Sequence, residues 1–134
     1  MRLAIFGGTG ATGQLLVQRA LALGHELTVF ARRPDKFTAH PRLRALAGEL
    51  SDEERIERAV CDAHAVLSLL GPVSVSRGLT PIADGTRQIL RAMCRYGVRR
   101  FVAVGTPSMP DDHDVCDWRF RMLVGVVRRA AAGA

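Results

Sequence analysis

A chain of 134 residues, 48% apolar and 24% charged, has the length of one folded domain, is too short for two, and lies far from the composition of disordered chains. By size scaling it can bury roughly two-thirds of its unfolded surface, so a core forms without metal or disulfide staples. Lys and Arg total 19 against 13 Asp and Glu, a net charge of +6, and since Lys36 is the only lysine the surface is one of arginines, suited to phosphate groups.

Short apolar runs alternate with longer amphipathic stretches, the rhythm of βαβ units. Leu3 to Phe6 predicts a buried strand running into Gly7. Leu15, Leu16, Ala20 and Leu23 then recur at helical spacing over Gln14 to Leu23, and Gly24 stops that helix. Glu26 to Ala31 predicts a second strand, Pro34 a weak helical turn, and Leu43 to Ala47 a third strand ending at Gly48. Ser51 with Glu54 forms a capping box for a helix through about Val60. Ala65 to Leu70 predicts a fourth strand closed by Gly71-Pro72. Thr80-Pro81 opens a long helix with proline at its first position, and that helix ends at Tyr96-Gly97. Arg99 to Val104 predicts a fifth strand, followed by a polar loop through Pro107 and Pro110.

Parallel strands joined by right-handed crossovers make a doubly wound α/β sheet of the Rossmann type the simplest topology for residues 1–134. A TIM barrel needs nearly twice the length. Trp118 to Arg129 has helical periodicity, with Trp118 and Phe120 as anchors of that last helix, but no closing strand follows before Ala134. The sequence therefore predicts an incomplete domain whose sheet lacks its C-terminal strand, with an exposed edge at the fifth strand.

The most informative motif is Gly7-Gly8-Thr9-Gly10-Ala11-Thr12-Gly13, a G-x-x-G-x-x-G pattern between the first strand and the first helix. Gly7 permits the tight turn out of the strand, Gly10 lets the main chain approach a diphosphate, and Gly13 lets the helix pack closely on the sheet. Free N–H groups at the helix start, reinforced by the helix dipole, face the anion. A Walker A loop is excluded, because no G-K-[ST] follows. An NAD-preferring site places Asp or Glu at the end of the second strand to bind the ribose hydroxyl. Here that position reads Ala31-Arg32-Arg33, which argues for a 2′-phosphate and hence NADP.

Other partners are disfavoured. The basic residues are scattered and only 5% of the chain is aromatic, so no nucleic-acid partner is expected. No run approaches the roughly 18 apolar residues of a membrane span, and the start lacks a signal-peptide pattern. Cys61, Cys94 and Cys116 are odd in number and widely spaced, which reads as reduced thiols in a cytoplasmic protein. Asp111, Asp112, His113 and Asp114 are consecutive and cannot converge on one ion, so no metal site is expected. His25, His40 and His64 fall at element ends and read as surface residues.

Taken with their neighbours, these motifs resemble the atypical short-chain dehydrogenase/reductases, in particular the NAD(P)H-binding NmrA-like group that includes flavin reductases. The resemblance runs through Ile5 to Gln14, Val29 to Pro34, Gly48-Glu49-Leu50, Leu69-Leu70-Gly71, Asp84 to Ile89, and Val102 to Thr106. It implies that Glu49 and Leu50 border the adenine, although the family usually has aspartate at Glu49. It further implies that Leu70 and Gly71 line the cofactor groove, and that Thr106 brings a hydroxyl to the nicotinamide and substrate, with Ser108 as the reserve candidate. The resemblance also implies a further strand and substrate-covering segments that these 134 residues lack, and the Tyr-x-x-x-Lys pair of conventional members is missing. Tyr96 is followed four residues later by Arg100, and beside Gly97 at a helix end the pair reads as structural. The expected function is an NADPH-dependent reductase of a small conjugated acceptor such as a flavin or quinone, acting as a monomer or homodimer. The alternative is an NADP(H)-binding redox sensor without turnover. A cofactor-dependent sugar isomerase ranks third, because that group usually keeps the Tyr/Lys pair.

Overall fold

The computed structural model describes residues 1–71 and 80–105, together with Met122 and Gly125. Five strands, β1 (Arg2–Phe6), β2 (Glu26–Ala31), β3 (Leu43–Ala47), β4 (Ala65–Ser68) and β5 (Phe101–Ala103), form one sheet in the order β3-β2-β1-β4-β5. Every pairing is parallel. This is the strand order of the first five strands of a Rossmann sheet, whose direction of winding reverses beside β1 and leaves a crevice at the carboxyl ends of the strands.

The alternation of side chains along β1 sorts the apolar residues into two cores. Ala4 and Phe6 join Phe30 and Val66 on one face, under α2 (Glu53–Val60) and α3 (Thr80–Tyr96). Leu3 and Ile5 join Leu27, Val29 and Ala65 on the other, under Val17 and Ala20 of α1 (Ala11–Ala22). The central strands are therefore apolar on both faces, which is why they read as continuous runs. The Phe6 and Phe30 rings meet in a tilted pair with centroids 5.2 Å apart.

Glycine ends two of the helices by one device. After α1, Gly24 takes φ of +81°, its N–H donates to Leu21 O at 3.0 Å, and the His25 N–H donates to Ala20 O at 3.0 Å. After α3, Gly97 takes φ of +68° and the Val98 N–H donates to Met93 O at 2.9 Å. Both are Schellman closures, which need the left-handed conformation that glycine adopts without strain.

The helical turn expected after Pro34 is present, and the main differences from the sequence expectation lie at the start of α1, the cap of α2 and the ends of β4 and β5. α1 begins at Ala11 rather than Gln14, so the glycine motif itself supplies the first helical turn. The cap of α2 is Asp52, whose carboxylate accepts from the Arg55 N–H at 3.1 Å, in place of the expected Ser51–Glu54 box. Asp52 also pairs with the Arg55 side chain at 3.1 Å, a second bond that serine cannot offer. β4 stops at Ser68 and β5 covers only Phe101–Ala103, because a strand lasts only as long as its neighbour pairs with it and those two share three residue pairs. The turn after Pro34 is a 3-10 turn, Pro34–Lys36.

Candidate functional site

The glycine motif links the carboxyl end of β1 to α1, and each glycine in it answers a different demand. Gly7 takes φ of +80°, and a Cβ there would stand 2.6 Å from Leu69 O, so the loop is pressed against the segment leaving β4. The Leu69 N–H fixes that contact by donating to Phe6 O at 2.8 Å. At Gly13 a Cβ would overlap Gly7 O and reach 2.7 Å from the Gly8 backbone, so the first turn of α1 rests directly on the loop. Gly8 is buried, and a Cβ would meet Val29 Cγ1 at 2.7 Å.

Gly10 is different. It is the N-cap of α1 with φ of −73°, and the nearest atom to a Cβ would be Gly7 O at 3.7 Å. Neither conformation nor internal packing demands a glycine there. What its missing side chain leaves clear is the approach to the helix end. No side chain caps α1 and its first turn carries no acidic residue. The Gln14 N–H already donates to Gly10 O at 2.9 Å, whereas those of Ala11, Thr12 and Gly13 precede the first intrahelical bond. These donors lie at the positive end of the helix dipole and suit a diphosphate. Thr9 is held by Gln14, whose Nε2 donates to its carbonyl at 3.2 Å.

Beside the loop, β2 ends at Ala31 and delivers Arg32 and Arg33 to the surface, both exposed. Among the described residues neither forms an ion pair, unlike Arg55, Arg58, Arg87 and Arg95. The Gly48 N–H donates to Ala31 O at 3.2 Å and ties the end of β3 to the same edge. Gly48 is bare because the Phe30 ring fills its side-chain space, 2.6 Å from a Cβ. Glu49 is exposed; Leu50 is half-buried and packs on Gly85 of α3, where a Cβ would lie 2.7 Å from its own. Leu70 is half-buried against the core beneath α2 and α3, and Gly71 is exposed with open space around it. The fold thus gathers the predicted phosphate, adenosine and groove residues at one end of the sheet. Thr106 and Ser108, with Asp111 to Asp114, Cys116, Trp118 and Phe120, lie outside the described residues.

Sequence reasoning passed over two contributors. Phe37 sits under the loop, its Cζ 3.4 Å from where a Gly8 Cβ would be. Arg55 donates from Nη1 to Ala47 O at 2.5 Å, fixing the last residue of β3. Gly8 stood inside the motif as a spacer. Only the β2 side chain behind it shows why it must be glycine.

The remaining polar residues belong to the scaffold. Tyr96 Oη donates to Glu57 Oε2 at 3.2 Å, and Arg95 Nη1 donates to Glu57 Oε1 at 2.7 Å, which binds the end of α3 to α2. Loss of hydration and the nearby Glu57 carboxylate both push the Tyr96 hydroxyl above its ordinary value. The His64 ring accepts from the Arg2 N–H at 3.0 Å and the His40 ring from the Arg42 N–H at 3.1 Å. A hollow of about 360 Å³, lined in part by Arg2, Glu26, Thr28, Arg44 and Asp62, opens at the amino ends of the strands, away from the glycine loop.

A family profile described as NAD(P)H-binding matches residues 7–132. The chain belongs to the NAD(P)H-binding family. Among curated relatives, the 3 beta-hydroxysteroid dehydrogenase/Delta 5-->4-isomerase of Mycobacterium tuberculosis is 33% identical over 119 residues, 81% of this chain and 32% of that protein. The chain thus spans about a third of the length of such relatives. Two solved structures share the fold. A short-chain dehydrogenase/reductase superfamily protein from Agrobacterium tumefaciens with bound NAD aligns over 98% of this chain and 44% of its own, at 23% identity and a TM-score of 0.70. A short-chain dehydrogenase/reductase from Veillonella parvula in complex with NADP aligns over 78% and 47%, at 20% identity and a TM-score of 0.63. Family membership is that of chains that bind a nicotinamide dinucleotide, NAD or NADP.

Proposed function

We propose that this chain is the dinucleotide-binding part of an NADPH-dependent oxidoreductase of the atypical, NmrA-like kind, acting on a small conjugated acceptor such as a flavin or quinone. The observation that carries the cofactor choice is the pair Arg32 and Arg33, exposed and unpaired among the described residues, at the position where an NAD site keeps a carboxylate. Two guanidinium groups there attract a 2′-phosphate through charge-assisted bonds.

The dinucleotide, when bound, supplies the hydride. The N–H groups of Ala11, Thr12 and Gly13 would hold its diphosphate, Arg32 and Arg33 its adenosine phosphate, and Glu49 and Leu50 would border the adenine. Leu70 and Gly71 would line the groove leading to the reacting end. Thr106, or Ser108 in its place, would donate a hydrogen bond to the acceptor; the protein's part is orientation and exclusion of water. The test is calorimetry with NADPH and NADH, followed by NADPH consumption against flavins, quinones and a 3-ketosteroid, the last because of the mycobacterial relative. Tighter binding of NADPH and turnover of a conjugated acceptor are expected. No heat with either nucleotide would overturn the binding reading, and firm binding without turnover of any acceptor would overturn the enzymatic one.

One observation favours the second reading, a redox sensor that binds NADP(H) without turnover. The only tyrosine, Tyr96, is engaged with Glu57 between α2 and α3 and is not available as a proton donor at the glycine loop. Association with a partner that switches between the oxidised and reduced nucleotide, in the absence of turnover, would establish it.

A further inference from the structure

The stretch that bears the two arginines is anchored at both ends. On one side β2 holds Ala31, which is buried and in register with Ala47. On the other, the chain makes the 3-10 turn Pro34–Lys36, closed by the Phe37 N–H donating to Pro34 O at 3.1 Å. The Phe37 side chain then packs against the core formed by β1, β2 and α1. Its Cζ lies 3.4 Å from where a Gly8 Cβ would stand, next to Ile5 Cγ2 at 3.5 Å, in the space that Val29 Cγ1 fills most closely at 2.7 Å. One aromatic ring therefore sits beneath the phosphate loop and terminates the arginine-bearing turn.

We propose that Phe37 is a positioning residue for selectivity between the two dinucleotides, holding the Arg32–Arg33 turn against the core directly beneath Gly8 of the glycine loop. The inference rests on the reading that these arginines recognise a 2′-phosphate. Exposed arginines lose rotamer freedom when they bind, and a turn that must also be ordered adds a backbone penalty for each freed residue. With Pro34 restricting the backbone and Phe37 seated, that ordering is complete before the ligand arrives. Nothing in this arrangement touches the groups that would hold the diphosphate beyond Gly8, so its effect falls on the phosphorylated nucleotide.

The experiment compares the intact 134-residue chain with Phe37→Leu and Phe37→Ala by calorimetry against NADPH and NADH, each variant checked for native circular dichroism. Phe37→Ala is expected to weaken NADPH about tenfold and NADH less than about twofold, with Phe37→Leu close to the parent because it keeps an apolar plug. A folded Phe37→Ala that retains the parent's NADPH preference, or weakens both nucleotides equally, overturns the clamp and leaves the arginine reading intact. A parent chain with no preference for NADPH overturns both. Should Phe37→Ala fail to fold, Phe37→Leu and Phe37→Val form the series: a preference that shrinks with the side chain supports the clamp, and a constant one refutes it.

Discussion

The two ends of the sheet are built from the same strands and use several of their hydrogen-bond donors differently. At the amino ends, Arg2 Nε donates to Asp62 O at 2.6 Å, Arg42 Nη2 donates to Leu21 O at 3.3 Å, and backbone N–H groups are received by the His64 and His40 rings. Those donors hold the chain together. At the carboxyl ends the first N–H groups of α1 have no side-chain cap, and Arg32 and Arg33 make no ion pair among the described residues. The comparison teaches that a basic surface is a poor guide to a site. Arg44, Arg99 and Arg100 at the amino ends also make no ion pair among the described residues, so what marks the site is the meeting of two unpaired arginines with the uncapped start of α1.

The sharpest break in this contrast comes from the glycines that build the loop. Gly13→Ala drives a methyl into the Gly7 and Gly8 backbone, and Gly7→Ala adds a positive φ to a contact with Leu69. Each is expected to destabilise the fold by about 1–3 kcal/mol or more in urea denaturation, and to abolish nucleotide binding with it. Full stability in either variant would mean that the loop is not packed as described.

Next in size is the phosphate contact. Arg32→Ala and Arg33→Ala should each weaken NADPH roughly tenfold to a hundredfold, since a charge-assisted bond contributes about 1.5–3 kcal/mol. NADH affinity and the unfolding midpoint should barely move. Equal loss for both nucleotides in titration would place the arginines elsewhere than at the 2′-phosphate.

Gly10→Ala sharpens the comparison inside the loop itself. Its methyl finds no atom nearer than 3.7 Å, so stability should change by less than about 0.5 kcal/mol while affinity for both nucleotides falls. Unchanged affinity would show that the diphosphate does not approach there. The smallest effect is expected from Tyr96→Phe, which removes one exposed bond to Glu57. Nucleotide affinity should stay the same. Because the raised value of Tyr96 in the folded state means that its stabilising contribution is present at neutral pH and lost in alkali, the variant should differ from the parent in neutral thermal melts and converge on it once the tyrosine ionises. A change in nucleotide binding would move Tyr96 into the site.

Much of this was legible in the residues. The strands announced themselves as apolar runs because they are buried on both faces, and Gly24 and Gly97 marked helix ends because the closure needs a left-handed residue. The cap of α2 was misplaced by one residue, since Ser51 and Asp52 are equally good caps in isolation and the Arg55 side chain decides between them. The roles of Gly8 and Phe37 were not legible. Gly8 is bare because of Val29 on β2, and Phe37 comes in beneath it from a segment separated by the whole of α1 and β2.

By itself the chain dictated its periodicities, its turn residues and a phosphate-binding signature, because those depend on backbone conformation within a few neighbouring residues. Folding decided which glycine is bare for packing and which for a ligand, and which arginines remain available. Those are properties of distance between remote segments. A glycine looks the same in the sequence whether its missing side chain makes room for a neighbouring strand or for a diphosphate, and only the surrounding atoms tell the two apart.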